Sequence, residues 1–292
     1  MHLTENVRRF GNRHFNYFVV GERDAAIVEC GVSGGVYSFG QEWSKFSPKP
    51  DIRHLVISHA HFDHVCGVPA LQELFPQAEV GASAEARRIL SKSKVMANFF
   101  AQDVKMSEVL HEQGVIPLIP PRPVPETIAV DTVIAAGDSI KLSGGLDLQA
   151  LEAQGHSPCG LAFYLPQDKV MFVADAGGFQ IRDDFLFPIF FQDYQTYIET
   201  LLSLRGYPAR VLAVPHERIW FDDDVKAFFD RAIKQAQAAY DDIAFMLDKG
   251  WDENDMSNFL FQRYYRDDLR IYTPENIRGC VELLIRRVKE CL

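Results

Sequence analysis

Residues 55–64 read Leu55-Val56-Ile57-Ser58-His59-Ala60-His61-Phe62-Asp63-His64. The beginning of this segment is a short, mainly apolar run that predicts a buried strand, and four ligand-type side chains follow it directly. Alternate residues of a loop can turn towards one point, so His59 and His61 can share one metal ion. Asp63 and His64 can then serve a second ion a few ångströms away. Because imidazole and carboxylate groups bind zinc, iron and manganese alike, the segment predicts a site for two metal ions.

Two metal ions need more ligands than this loop supplies, and three later segments each place one at the end of a predicted strand. These segments are Gly155-His156-Ser157-Pro158, Val173-Ala174-Asp175-Ala176-Gly177-Gly178 and Val214-Pro215-His216. Each alone is more often a turn or a satisfied core residue, but all three share the structural position of the first cluster. The predicted metal ligands are therefore His59, His61, Asp63, His64, His156, Asp175 and His216. The remaining histidines have no such context and are predicted to be structural: His2, His14, His54 and His111.

The composition excludes several classes of partner and site. The chain has 292 residues and a formal net charge of −10 at pH 7, from 40 acidic and 30 basic residues. Since a surface that follows phosphates needs clustered lysine and arginine, and no basic stripe occurs, we expect no nucleic-acid partner. The five scattered cysteines contain no CxxC pair, which argues against a disulfide framework or a thiolate zinc site. With neither a signal peptide nor an apolar run of roughly 18 residues, we expect a cytoplasmic protein without a membrane partner.

The pattern along the chain predicts a mixture of strands and helices. A hairpin is expected at residues 15–20 and 25–30, followed by a Gly-rich loop at 31–35. Further strands are expected at 127–135, 146–150, 162–165, 170–173 and 210–214. Asp193 and Thr273 are predicted helix N-caps.

Two helical segments are expected outside the sheets, an insertion at 83–113 and a C-terminal region at 222–292. We therefore predict a catalytic domain over residues 1–221 that carries the insertion, and a C-terminal helical cap over residues 222–292. Both segments are rich in phenylalanine and tyrosine. Ordinary core packing explains this composition, and so does an apolar pocket roof that selects an acyl or aromatic substrate.

The order of the motifs, HxHxDH, then GHS, then an Asp and a Pro-His pair at strand ends, resembles the metallo-β-lactamase-fold hydrolase superfamily over about residues 10–220. The resemblance implies an α+β fold: a four-layer αβ/βα sandwich of two sheets with helices outside, a helical insertion and a C-terminal helical region. It implies that His59, His61 and His156 hold one metal ion, that Asp63, His64 and His216 hold the other, and that Asp175 bridges them. In this superfamily an Asp at such a position can also handle a proton, so Asp63 is the expected catalytic residue.

Within the superfamily, an HxHxDH motif with an Asp bridge resembles the glyoxalase II, lactonase and ribonuclease Z branches. Small lactonases often place a Tyr shortly after the bridging Asp, where this chain has Gly178 and Phe179. Ribonuclease Z would need a basic exosite, which the charge balance disfavours. The combination of a helical insertion with C-terminal helices is similar to thioesterase-like members of the quinolone-signal type.

We therefore predict a dinuclear metal-dependent hydrolase that cleaves a thioester or related acyl ester, with zinc as the first expectation and iron or manganese as alternatives. Two adjacent cations would lower the pKa of a shared water enough for hydroxide to attack the carbonyl carbon. The alternatives are a lactone or phosphodiester hydrolase, a di-iron redox protein that binds oxygen or nitric oxide, and a non-catalytic binding protein. The expected partner is a small-molecule acyl substrate, and the aromatic helices allow a homodimer.

Overall fold

The computed structural model describes residues 1–121, 124–216 and 218–292, and within these ranges the strands form two six-stranded sheets and a separate hairpin. The strands are β1 (Val7–Gly11), β2 (Asn16–Val20), β3 (Ala25–Val28), β4 (Ile52–Val56), β5 (Glu79–Ala82), β6 (Thr132–Val133), β7 (Ser139–Leu142), β8 (Leu146–Glu152), β9 (Leu161–Leu165), β10 (Val170–Phe172), β11 (Phe179–Arg182), β12 (Phe185–Phe187), β13 (Val211–Ala213) and β14 (Ile219–Phe221). The helices are α1 (Ser33–Lys45), α2 (Phe62–Val65), α3 (Val68–Leu74), α4 (Ala84–Leu90), α5 (Ser93–Glu112), α6 (Tyr194–Arg205), α7 (Asp223–Asp248), α8 (Glu253–Tyr264) and α9 (Pro274–Cys291). Short 3₁₀ turns occur at Ser143–Gly145, Ala174–Gly177 and Asp267–Ile271.

Both sheets combine parallel and antiparallel pairing. The first has the order β1-β2-β3-β4-β5-β6, and the strands from β3 to β6 run parallel to one another. The second has the order β14-β13-β10-β9-β8-β7, in which β10 and β13 are parallel and β8 is antiparallel to β9. Since β9 is also antiparallel to β10, strands β8, β10 and β13 all point the same way. The carboxyl ends of β3 and β4 therefore share one edge of the first sheet, and those of β8, β10 and β13 share one edge of the second.

The two sheets face each other across an apolar layer. Phe18 of β2 and Phe172 of β10 meet in this layer with their ring centroids 5.5 Å apart, and both side chains are fully buried. Burying one such ring contributes about 2 kcal/mol to folding. A second apolar cluster joins the outer faces of the sheets to the helices. This arrangement confirms the predicted α+β fold.

Most predicted helix and strand positions are confirmed. The hairpin of β2 and β3 is present, and Asp193 caps α6 by accepting a hydrogen bond from the Thr196 N–H at 2.7 Å. Thr273 caps α9 in the same way, accepting from the Asn276 N–H at 3.3 Å. Helices α4 and α5 lie within 83–113 and α7 to α9 within 222–292, while the division into domains stays a prediction.

Two local predictions are wrong. Residues 31–35 were expected to be a loop, but α1 begins at Ser33 and includes Gly34 and Gly35. Glycine is needed inside this helix because a Cβ at Gly35 would lie 2.4 Å from the hydroxyl oxygen of Tyr17. The strand expected at 127–135 is limited to the two residues of β6. None of the helices in the described ranges has the length and apolar character that crossing a bilayer requires.

A buried carboxylate joins α5 to the start of α1. Asp103 is fully buried, and its carboxylate accepts hydrogen bonds from the Ser33 N–H at 2.9 Å and the Ser33 hydroxyl at 2.6 Å. The first N–H groups of a helix have no partner within the helix, and a negative charge there is favoured by the helix dipole. Asp103 therefore fixes the helical insertion against the first sheet's helix layer.

Replacing Asp103 with Ala should lower the free energy of unfolding by about 2 to 3 kcal/mol, because it leaves the Ser33 N–H buried without this acceptor. Urea titration followed by circular dichroism measures the loss. Glu108→Ala, an exposed position on the same helix, is the matched control and should change stability by less than about 0.5 kcal/mol. Equal effects of the two variants would contradict this role for Asp103.

Candidate metal centre

The predicted ligands meet at the sheet edges where the parallel strands end. His59, His61, Asp63 and His64 follow β4, the last two on the short helix α2. His156 follows β8, Asp175 lies in the 3₁₀ turn after β10, and His216 follows β13. The structure thus brings all seven side chains together, in two groups: His59, His61 and His156, and Asp63, His64, Asp175 and His216. Within each group the possible ligand atoms lie within 4.8 Å of one another.

In the first group, three ring nitrogens converge. The Nδ1 atom of His61 lies 3.1 Å from Nε2 of His59 and 2.9 Å from Nε2 of His156. Glycine at 155 makes the turn into His156 possible, because its φ is +99° and a Cβ there would lie 2.3 Å from the backbone of Tyr197. The turn therefore places the third histidine against the two that follow β4.

In the second group, the carboxylate of Asp175 is central. Its Oδ2 atom lies 3.4 Å from Nε2 of His64, and its Oδ1 atom lies 3.6 Å from Nε2 of His216. The same Oδ2 atom is 3.6 Å from Nε2 of His156 and 3.9 Å from Nε2 of His59, both in the first group. Asp175 therefore lies between the two groups, as a bridging ligand must.

Hydrogen bonds on the far side of two of the rings determine which nitrogen faces the centre. Nδ1 of His156 donates to the Ile189 carbonyl at 2.8 Å, and Nδ1 of His216 donates to the His14 carbonyl at 3.2 Å. Because a carbonyl oxygen only accepts, the proton is on Nδ1 and the lone pair of Nε2 points into the site. The buried Nε2 atoms of His64 and His216 have no hydrogen-bond partner among the described residues. The inward lone pairs of His156 and His216 fit a bound metal ion.

Two further polar residues hold the histidines from outside. Glu29, directly after β3 and 2% exposed, accepts a hydrogen bond from Nδ1 of His64 at 2.7 Å. Its φ of +73° is in the left-handed region, which costs a non-glycine residue about 1 to 2 kcal/mol. Ser58 lies 3.2 Å from Nδ1 of His59 through its hydroxyl. Ser58 and Glu217 each lie next to a predicted ligand in the sequence, and Glu217 is outside the described residues.

The first group is neutral at ordinary pH. Burial and neighbouring histidines lower the pKa of His59 well below its usual value. Burial and His156 lower the pKa of His61 to about 3, and burial lowers the pKa of His156 itself. Since a histidine binds a metal through a deprotonated nitrogen, these three side chains are already in the form that coordinates.

The second group contains a buried ion pair. Burial disfavours the charge of His64, but the carboxylates of Asp175 and Glu29 outweigh it and raise the pKa of this histidine well above its usual value. Burial likewise disfavours the charge of Asp175, yet His64 and His216 hold the pKa of this carboxyl well below its usual range. A metal ion entering this group must displace the proton of His64, and binding at this group therefore weakens as pH falls.

A tyrosine from the C-terminal region contacts this group. The Tyr272 hydroxyl donates to Oδ2 of Asp63 at 2.6 Å. Its ring packs edge-on against Phe62 and Phe179, with centroids 6.2 Å and 5.6 Å away, and it is 8% exposed. Tyr272 thus connects the segment before α9 to a residue 209 positions earlier in the chain.

A cavity of about 190 Å³ opens over the ligands. Four of the predicted metal-binding side chains lie in its wall, namely His61, Asp63, His156 and Asp175. The remaining wall is mainly aromatic and aliphatic, and it includes Phe99 from α5 and Ile277 from α9. No lysine or arginine is among the described residues that line it.

Sequence comparison now agrees with this geometry. The family model described as Metallo-beta-lactamase superfamily matches residues 11–216. The chain belongs to the metallo-β-lactamase superfamily. Membership confirms the predicted resemblance and the predicted hydrolase class, and it accords with a site for two metal ions.

Relatives within the metallo-β-lactamase superfamily are distant. A hydroxyacylglutathione hydrolase of Ruegeria pomeroyi is 27% identical over 158 residues, which are 54% of this chain and 42% of the relative. The chain thus spans less than half the length of this curated relative. Among solved structures, an archaeal superfamily protein of Sulfolobus tokodaii has 18% identity and a TM-score of 0.57, covering 79% of this chain and 85% of that one. A sec-alkylsulfatase of Pseudomonas sp. has 15% identity and a TM-score of 0.64, covering 88% of this chain and 44% of that one. At these identities the structural likeness concerns the fold.

Two residues of the site were missed from the sequence. Glu29 had a usable signal, since it follows a buried strand that is parallel to β4 at the same sheet edge. Tyr272 had none, because its place beside Asp63 depends on how the C-terminal helices pack on the sandwich.

Glu29→Gln should weaken metal binding at the second group by about 10- to 100-fold, because the carboxylate orients His64 and increases its basicity. The binding that remains should persist to lower pH, since the pKa of His64 falls without this carboxylate. Competition with a chromogenic chelator across pH 5 to 8 measures both effects. Glu73→Gln, exposed on α3, serves as control, and identical pH curves for the two variants would refute the assignment.

Tyr272→Phe keeps the packed ring and removes only the donor to Asp63. We expect roughly tenfold weaker metal binding at the second group, since partners of ligating carboxylates have effects of this size. Competition with a chromogenic chelator measures the zinc affinity of each variant. The control is Tyr164→Phe, whose hydroxyl donates to the Pro208 carbonyl away from the centre; if both variants bind zinc like the parent protein, Tyr272 has no positioning role.

Proposed function

We propose that this chain is a dinuclear metal hydrolase that cleaves thioesters of apolar acyl groups. The observation that carries the proposal is the apolar cavity whose wall contains ligand side chains of both groups. An acyl chain enters such a cavity by burying apolar surface. A phosphodiester would bring a negative charge to walls that present no lysine or arginine among their described residues.

The protonation states of the cavity favour a leaving group that departs without a proton. Burial raises the pKa of Tyr272 well above its usual value, and this hydroxyl already donates to Asp63. Burial raises the pKa of Cys280 to about 12, and His61, with a pKa of about 3, carries no proton to give near pH 7. A thiolate leaves unprotonated, whereas the alkoxide of a lactone or ester needs an acid. Tyr272, Cys280 and His61 therefore supply no proton to the leaving group, which suits a thiolate, whereas an alkoxide would depend on the proton that Asp63 takes from the attacking water.

In the proposed site, His59, His61 and His156 would hold one metal ion, Asp63, His64 and His216 would hold the other, and Asp175 would contribute to both. When bound, such ions supply an activated water and a polarised carbonyl. The chain's own residues position and protect the reactants. Tyr272 donates to Oδ2 of Asp63 and so fixes the orientation of this carboxylate, which would accept the proton of the attacking water. The phenylalanines of the wall keep bulk water from the acyl group.

The curated relative supports the same class of reaction. Its name describes the hydrolysis of an acylglutathione, which is a thioester, although the aligned region is 42% of that protein. The donor set of histidines and carboxylates accepts zinc, iron and manganese, and we propose zinc as the working metal.

A hydrolysis panel tests the proposal on protein loaded separately with zinc, manganese and iron. It contains acyl-CoA thioesters, S-lactoylglutathione, acyl lactones and a chromogenic phosphodiester. We expect thioester turnover that falls by at least about 10³-fold in Asp175→Asn, because this variant removes the shared ligand. Asp147→Asn, on β8, is the matched control and should retain activity.

Other outcomes of the panel are equally informative. Turnover restricted to the lactones or the phosphodiester would overturn the substrate class and keep the metal hydrolase. A further outcome is that the protein turns over none of the substrates although two metal ions are bound per chain, while its iron-loaded form responds optically to oxygen. That result would overturn hydrolysis in favour of redox chemistry.

A further inference from the structure

A second cavity adjoins the one over the metal ligands. Its volume is about 430 Å³, which is in the size range of small-ligand sites. It lies between α5, which contributes Lys105 and Met106, and the start of α9, which contributes Glu275 and Gly279. The two cavities share these wall residues: Phe62, Gln102, Tyr272, Asn276, Cys280 and Leu283. A molecule that reaches from one cavity to the other passes beside Tyr272 and Asp63.

The boundary between the cavities is formed by two side-chain amides. Nδ2 of Asn276 donates to Oε1 of Gln102 at 2.9 Å, and Nε2 of Gln102 donates to Asn98 at 2.8 Å. Oδ1 of Asn276 faces the Cys280 sulfur at 3.8 Å, and a thiol is only a weak donor. The carbonyl of Asn276 can therefore accept a hydrogen bond from a ligand, and its NH₂ group has a second hydrogen to donate.

The second cavity differs from the first in the groups at its rim. Lys105 and Glu275 are exposed and place opposite charges at its rim, and Thr273 adds a hydroxyl. The first cavity has mainly aromatic and aliphatic walls. An apolar group and a polar group joined at a reacting carbon would thus find different surroundings on the two sides of the ligands.

We propose that the second cavity binds the amide-bearing part of a thiol leaving group, while the acyl group occupies the first cavity. This inference rests on the proposed thioester hydrolysis. Two amide bonds beyond the sulfur are common to glutathione and to the pantetheine arm of coenzyme A. Such amides match the donor and acceptor of the Gln102–Asn276 pair. Glutathione also carries carboxylates and an ammonium group that would meet Lys105 and Glu275 at the rim, so the charged rim distinguishes the two sources.

Gly279 allows the second cavity to be filled. It lies on α9 in the cavity wall, and a Cβ added there would meet no atom within 4 Å. Gly279→Phe therefore places a ring in the cavity from a rigid helix, and loss of a helical glycine favours the helix. Gly40→Phe is the matched control, since Gly40 lies on α1 and a Cβ there would only touch Leu74 at 3.9 Å.

The experiment compares thioesters of one acyl group with glutathione, pantetheine and ethanethiol. In Gly279→Phe, kcat/KM for the amide-bearing thioesters should fall at least about tenfold relative to the ethanethiol thioester, and Gly40→Phe should leave this ratio unchanged. Isothermal titration with S-methylglutathione and S-methylpantetheine should show binding to the parent protein that Gly279→Phe loses. The analogue that binds more tightly identifies the source, and Lys105→Gln should weaken only S-methylglutathione.

The two proposals fail in different ways. Thioester turnover with an unchanged ratio in Gly279→Phe would overturn the subsite and leave the hydrolase intact. Binding of an S-methyl analogue that Gly279→Phe abolishes, with no thioester turnover, would keep the subsite and overturn the proposed function. If neither analogue binds the parent protein, the second cavity is not a thiol subsite. The Phe ring of Gly279→Phe could turn to solvent and leave the cavity open, so a second variant, Gln102→Leu, is tested as well. It removes one of the two side-chain amides and should also weaken binding of the amide-bearing analogue.

Discussion

The carboxylate of Asp175 lies within 3.9 Å of a nitrogen on each of four histidines, in a pocket where its charge is almost completely removed from water. Burying an unpaired carboxylate is costly, and so is burying a histidine nitrogen without a partner. Asp175 and the histidines offset one another's cost only if strands from both sheets end at the same place. The sandwich supplies that meeting point, and the turn that carries Asp175 uses positive φ angles of +49° at Ala174 and +85° at Gly178. The backbone strain at Ala174 is therefore the cost of placing the Asp175 carboxylate among the histidines.

The parts of the centre that are local in sequence were predictable. HxHxDH places four ligands after one strand, and a single strand end is enough to orient them. The distant ligands were predictable as a set, because His156, Asp175 and His216 each follow a strand and parallel strands end at a common edge. Which side chains hold the ligands from behind was not predictable. Glu29 was assigned to the end of a strand, whereas its function depends on a left-handed backbone that turns it towards His64.

The errors in secondary structure have the same physical origin. The Gly-rich segment 31–35 was interpreted as a loop, but Gly34 and Gly35 lie inside α1, and packing against Tyr17 selects glycine at position 35. The segment expected to be a strand at 127–135 pairs with β5 over two residues only. Its apolar residues were interpreted as a strand pattern, but most of this segment forms no sheet pairing. Tyr272 was not foreseeable, because no local pattern marks a side chain that acts 209 residues away.

The hydrogen bond from Tyr272 to Asp63 also implies an order of assembly. All seven ligand side chains belong to residues 59–216, which a ribosome completes well before residue 272. Domains generally begin to fold from the N-terminal side during synthesis. The segment that carries Tyr272 is therefore made last, and its hydrogen bond to Asp63 is added to ligand residues that are already synthesised.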